Sequence, residues 1–339
     1  MDRRKQIAGS LLLLLTAVIW GMAFVSQSKG MESMGPLTFQ GVRCLIGAAA
    51  MLPLALRSIS SLKSARRESD SASSARLDPD ADSSAHQAHG SAPSAPGRRY
   101  VLLAGLAVGL VFSVACTLQQ YGIGMTTVGK AGFITALYII LVPVFAMIFL
   151  KRRAAPVIWA GVGIALAGFY LLCLAGQGLT VSAGDMLVLA SAAFFAVHIL
   201  TVDHFVTRVD PVLLSWMQLV FCGAAVTVLA LVFEHPTGAQ ILDGLPALLY
   251  AGVLSCGVAY TLQMVGQKMV PPATATLIMS LEAVVSALAG AAAWKLGILS
   301  TDQSMTGLQI TGCALVFAAV IIVELPWREL RTRKKKLMI

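Results

Sequence analysis

The chain has 339 residues, 57% of them hydrophobic and only 12% charged. A soluble globular domain carries about 25% charged residues, so a water-facing surface cannot be covered and lipid must cover most of it. The formal charge of +9 raises nucleic-acid binding, which the placement of the basic residues has to decide.

Arg3-Arg4-Lys5 ahead of Leu11 to Leu15 resembles the opening of a signal peptide. The apolar stretch runs on through Val25 without a small-x-small cleavage site, so an uncleaved first helix is expected. A spanning helix needs about 20 mostly apolar residues. The candidate spans are 7–27, 37–57, 100–119, 131–150, 156–175, 185–203, 211–233, 245–264, 272–293 and 307–325. They predict an all-α membrane protein of ten transmembrane helices. Residues 58–97 interrupt the series. They are rich in Ser, Ala, Asp and Pro, and predict a disordered cytoplasmic loop.

His86 and His89 in that loop lack further ligands, so no metal site is expected. Cys44, Cys116, Cys173, Cys222, Cys256 and Cys313 lie singly in apolar runs and read as small packing residues.

With the N-terminus in the cytoplasm, 21 of the 25 basic residues fall on the inner side. The outer side holds Lys29, Lys130 and Lys295, and Arg43 lies inside a span. That bias predicts both termini in the cytoplasm of a multi-pass protein of the cell (inner) membrane. The basic charge is a topology signal, and nucleic acid is not an expected partner. The tail 327–339 is basic enough to meet anionic headgroups.

Cys116–Lys151 lies without gaps on Tyr260–Lys295 at an offset of 144, with nine of 36 positions identical. Among these are Thr117-Leu118-Gln119 against Thr261-Leu262-Gln263. Earlier spans align at an offset of 175, where Gly35-Pro36 falls on Asp210-Pro211. The repeats are therefore 1–57 with 98–176, and 177–326. Five spans each make the second half start from the opposite side, the inverted-repeat plan of many secondary transporters.

Trp20-Gly21-x-x-Phe24 and Lys29, then Pro36 leading to Arg43, mark the first two spans. Thr126, Ala131, Phe133 and Pro143 mark the fourth, and Pro272, Ala273 and Leu281 the ninth. In this order the chain resembles the drug/metabolite transporter superfamily, specifically its EamA-like ten-helix carriers. The resemblance covers nearly everything but the 58–97 loop. The family's usual Gly-Glu at the ends of the fourth and ninth spans is replaced by Leu150-Lys151-Arg152 and Lys295-Leu296-Gly297. The resemblance implies alternating-access transport of a small metabolite, often outward, without ATP hydrolysis.

Glu282 lies about ten residues, or ~15 Å, into the ninth span. A bare carboxylate there must face a polar cavity, pair with a cation or stay protonated. It reads either as a proton-coupling or substrate-cation site, or as a structural carboxylate bonded between helices. The repeat lays it on Tyr138, a substrate contact or a packing residue with a bonded hydroxyl. Arg43, ~10 Å inside the second span, could pair with Glu282, bind a substrate carboxylate or snorkel outward. His198 could relay protons or bond across helices. Trp20 and Gln40 are candidate cavity residues, whereas Gln119 and Gln263 read as structural.

Gly124-Met125-Thr126-Thr127-Val128-Gly129-Lys130 mimics a phosphate-binding loop, but Ala131 stands where the magnesium-binding hydroxyl belongs. No ATP site, cofactor or catalytic set is expected. The expected function is a secondary carrier of a small metabolite, an amino acid or related zwitterion, coupled to protons or another gradient. An intramembrane enzyme or a non-transporting receptor or scaffold is the alternative. The spread of single polar groups over different helices disfavours the enzyme, and the lack of a sizeable folded soluble region disfavours the receptor. A homodimer stays open.

Overall fold

The computed structural model describes residues 3–75, 96–173, 182–300 and 302–324. The structure is all-helical, with no strand among the described residues. The helices are α1 (Arg3–Gly30), α2 (Pro36–Ala75), α3 (Arg98–Ile123), α4 (Val128–Ala136), α5 (Tyr138–Phe149), α6 (Pro156–Cys173) and α7 (Ala183–Phe205). They continue with α8 (Pro211–Phe233), α9 (Gly238–Asp243) and α10 (Leu245–Leu249). A π-helical stretch, Tyr250–Ala259, follows, then α11 (Tyr260–Gln267), α12 (Pro272–Met279), α13 (Glu282–Lys295) and α14 (Gly307–Glu324). Among the described residues, eight helical segments are long and apolar enough to cross a membrane, and two shorter apolar helices, α6 and α14, accompany them.

Packing sorts residues by size rather than polarity. On α1 the buried stripe is Gly9, Leu13, Ala17, Gly21 and Phe24, at helical spacing. Leu11, Leu15, Val18 and Met22 are exposed on the other side. Lipid tails are as apolar as leucine, so close van der Waals approach between small residues, not apolar burial, holds such helices together. A Cβ on Gly21 would lie 2.4 Å from Val285 Cβ and 2.8 Å from the backbone carbonyl of Glu282. The carbonyl cannot swing aside. Gly21→Ala is therefore expected to lower stability by about 1–3 kcal/mol, read as a lower unfolding temperature in detergent.

The second helix corrects the expected boundary at residue 57. Helix α2 continues to Ala75, so residues 58–75 are helical rather than a disordered loop. Ile59 and Leu62, one turn apart, pack on the cluster containing Tyr100, Phe205, Val206 and Val209. Ser58 Oγ donates to Asp210 Oδ1 at 2.7 Å. Two apolar residues give no periodicity to read, yet suffice once a neighbour meets them, and Lys, Arg, Ala and Glu tolerate helix well. Residues 76–95, with His86 and His89, and the tail 327–339 lie outside the described residues.

The start of α2 is capped by a residue far away in sequence. The Glu234 carboxylate accepts from Leu37 N and Thr38 N, both at 2.8 Å, and from Thr38 Oγ1 at 2.7 Å. These are N–H groups that an α-helix cannot satisfy internally. At the matching start of α8, Asp210 caps its own helix through Leu213 N. Gly35 stands where that aspartate would be, because a Cβ there would sit 2.3 Å from the Glu234 carboxyl carbon.

The fourth and ninth apolar stretches are both broken near mid-length. Leu137 lies between α4 and α5 with ψ −11°, and Leu281 lies between α12 and α13 with ψ −16°. Their N–H groups bond to Ile134 O and Ile278 O, three residues back, at 3.2 Å each. Such a tightened turn inside a helix marks a hinge or a functional site. The two breaks are 144 residues apart, at a pair of identical residues. Tyr138 and Glu282 open the half-helices that follow.

Candidate functional site

Four of the predicted residues, Trp20, Arg43, Tyr138 and Glu282, line one cavity in the middle of the bundle. Gln40 and His198 stand behind its wall. Phe24, Gln27, Gln119, Thr135 and Gln263 join the lining from α1, α3, α4 and α11, as do Phe195 and Ile199 of α7. Ser255 and Tyr260 complete it, so the π-helical stretch and its junction with α11 form part of the wall. The cavity measures about 30 Å³, room for about two waters. Sites that hold metabolites are about ten times larger. As it stands the cavity is too small for a metabolite.

Glu282 is 3% exposed, and its Oε1 has no hydrogen-bond partner. It sits in the first turn of α13, where the partial positive charge of a helix N-terminus supports an anion. The Tyr138 hydroxyl faces this carboxylate without closing a hydrogen bond to it.

Arg43 is 2% exposed, which rules out snorkelling. Its Nε donates to Gln40 Oε1 at 2.8 Å, and Nη2 donates to the same oxygen. The guanidinium lies 5.6 Å from the centre of the Phe39 ring. The anticipated ion pair with Glu282 is not made. Among the described residues the ion pairs are Lys29–Glu32, Lys130–Asp185 and Arg152–Asp203. Gln40 thus fixes the guanidinium, while its amide nitrogen faces Cys44 and Cys222 Sγ at 3.2 and 3.4 Å.

The aromatic wall is mutually braced. The ring centroids of Trp20 and Tyr260 are 4.7 Å apart, and Trp20 Nε1 donates to Ser255 O at 3.3 Å. Tyr260 stands edge-on to Phe112 at 4.6 Å, with its hydroxyl 3.5 Å from Cys116 Sγ. His198 Nε2 pairs with Gln218 Oε1 at 2.8 Å, and its Nδ1 has no partner. It bonds across helices, as one of its two readings anticipated.

Gln119 and Gln263 were expected to be structural, but both face the cavity. Gln119 Nε2 donates to Thr135 Oγ1 at 3.1 Å, and Gln263 Oε1 has no partner. Tyr260 and Gln27 were not anticipated. A signal for the glutamines did exist, since they are mates at the 144 offset. Buried unpartnered polar groups are costly and infrequent, and four such residues, Gln27, Tyr138, Gln263 and Glu282, meet here. The lining thus joins one basic and one acidic side chain to uncharged polar groups. No group of three His, Cys, Asp or Glu suited to a metal ion occurs among the described residues.

The sequence matches the EamA-like transporter family over residues 7–174 and 182–325. The chain belongs to that family. An uncharacterized transporter of Archaeoglobus fulgidus is 26% identical over 324 residues, covering 95% of this chain and 87% of that protein. The threonine/homoserine exporter RhtA of Salmonella typhimurium is 28% identical over 187 residues, covering 52% of this chain and 58% of the exporter. A solved crystal structure superposes with a TM-score of 0.64 over 94% of this chain and 98% of that one, at 18% identity, a likeness of fold alone. This EamA-like transporter is thus a multi-pass membrane protein, and its family and relatives are transporters rather than enzymes.

Proposed function

We propose that this EamA-like protein is a secondary carrier of a zwitterionic metabolite, an amino acid or close relative. It works by alternating access between two inverted five-helix halves. The observation that carries the substrate class is the pairing of poles in one cavity. Arg43 and Glu282 are both buried, and among the described residues neither has a counter-ion and they are not paired with each other. A substrate carboxylate suits the guanidinium fork, and a substrate ammonium suits Glu282. The exporter named for threonine and homoserine, two such zwitterions, is consistent with this.

The two-fold arrangement is supported by the cavity lining itself. Trp20 and Phe195, and Phe24 and Ile199, are mates at the 175 offset. Gln119 and Gln263, and Tyr138 and Glu282, are mates at 144. Cys116 and Tyr260, also 144 apart, touch each other directly. A residue meets its own mate only near a two-fold axis, so the Cys116–Tyr260 contact supports such an axis close to the cavity. Inverted halves then let one site face either side by exchanging conformations. The protein sits in the cell membrane with both termini in the cytoplasm, where the basic loops collect.

The test is counterflow in proteoliposomes. Vesicles loaded with unlabelled threonine should accumulate external labelled threonine several-fold above protein-free vesicles. The decarboxylated amine and the deaminated acid, each with one pole missing, should drive this accumulation far less well. Equal exchange with either half-molecule would overturn the zwitterion assignment, and no flux with any amino acid would overturn the substrate class.

A further inference from the structure

A second cavity of about 420 Å³, remote in chemistry from the central one, lies where the ends of α5 and α14 meet the starts of α6 and α12. Its rim carries Arg152 and Arg153, and no carboxylate among the described residues lines it, although Asp203 reaches Arg152 from outside the lining. Its inner wall is apolar, formed by Pro143, Ala146, Ile158 and Val323. Pro143 lies six residues before the end of α5, so the apolar slot reaches about 9 Å beyond the arginine level. The shape is that of an amphiphile, with positive charge at the mouth and hydrocarbon-like walls below.

The two arginines are not equivalent. Arg152 Nη1 is committed to Asp203 Oδ2 at 2.6 Å. No hydrogen bond or ion pair of Arg153 is recorded among the described residues. Lys151, just before them, holds a left-handed backbone at φ 53°, and Arg152 N bonds back to Ala146 O at 3.1 Å. A non-glycine residue is disfavoured there, so the turn that presents the two guanidiniums is held against strain. The first turn of α12 also lines the cavity through Ala273 and Thr274, adding the positive end of a helix dipole.

The geometry points to a binding site for an anionic phospholipid, with its phosphate on Arg153 and Arg152 and an acyl chain in the Pro143–Ala146 slot. A zwitterionic lipid carries a compensating ammonium and lacks the net charge that Arg153, the rim cation without a carboxylate partner among the described residues, selects. A free phosphate has nothing to fill the slot. On the proposed topology the site belongs to the cytoplasmic leaflet, though the test needs no sidedness and stands apart from the transport reading.

The full-length protein in detergent is titrated with dioleoyl-phosphatidylglycerol, dioleoyl-phosphatidylcholine or inorganic phosphate, with lipid adducts counted by native mass spectrometry and unfolding temperature measured in parallel. Phosphatidylglycerol should give a retained one-to-one adduct and raise the unfolding temperature; the other two should do neither. Arg153→Glu, on an exposed side chain, should weaken the adduct at least fivefold, and Ala146→Phe should weaken it by filling the slot. Comparison with the wild type removes binding to the basic tail, which both variants keep. Arg153→Gln serves as the milder variant, with a smaller loss expected. Equal adducts with the two lipids, or an adduct undiminished in Arg153→Glu, would overturn the assignment. So would stabilisation by phosphate alone, which would make the cavity a vestibule for soluble anions.

Discussion

Glu282→Gln is expected to abolish accumulation driven by a pH gradient in proteoliposomes, by tenfold or more, while exchange at equal pH persists at a raised KM, because the substrate ammonium keeps only a neutral partner. The effect follows from where the carboxylate sits. It is buried, faces the Tyr138 hydroxyl without bonding it, and has no cation within 4 Å among the described residues. A carboxylate in that setting gains a proton or a substrate ammonium at high value, because water cannot substitute for either. Glutamine keeps the shape and some hydrogen-bonding capacity but cannot alternate between charged and neutral forms. Loss of coupling with exchange retained separates this role from a purely structural carboxylate. A structural role predicts the opposite pattern, a lower unfolding temperature with unchanged gradient-driven flux. Unchanged flux would sink the coupling role.

The broad plan of the molecule was legible because lipid imposes a simple rule, namely long apolar helices with basic loops on one side. The residues facing the centre were partly legible for the same reason, since Arg43 and Glu282 are costly in a span and need a purpose. What escaped detection depends on contacts between distant segments. The helical run 58–75 is stabilised by Ile59 and Leu62 meeting α7 and α8, neighbours that no local pattern announces. Glu234 reads as a helix-end residue, yet it caps α2 from 196 and 197 residues away.

The breaks at Leu137 and Leu281 lie inside apolar runs and carry no proline or glycine of their own. Only the 144 offset hinted at them, by pairing Tyr138 with Glu282. The π-helical turn Tyr250–Ala259 left no trace in composition, although it carries Ser255 to the cavity. The pairing of Arg43 with Glu282 was a natural guess from charge alone. Gln40, three residues before Arg43 on the same helix, supplies a nearer acceptor. That local bond leaves both side chains in the lining of the cavity.

Arg43→Gln carries the second large expectation. It should raise the KM for a zwitterionic substrate about a hundredfold, because a charged hydrogen-bonded contact in a desolvated site is worth about 3 kcal/mol. The KM for the matching amine, which has no carboxylate to lose, should change little. Arg43→Lys should recover only part of the loss. It restores the charge, but not the planar fork that Gln40 holds by Nε and Nη2 and that carboxylates meet with two bonds. The measurement is initial-rate uptake of labelled amino acid and labelled amine into proteoliposomes across a concentration series. Equal loss for both compounds would mean that Arg43 braces α2 rather than reading a carboxylate. Gln40→Leu tests the same point from behind the wall: it leaves the charge in place and removes its holder. Selectivity should then fall without disappearing, since a guanidinium free to turn still attracts a carboxylate but no longer presents it with a fixed pair of donors.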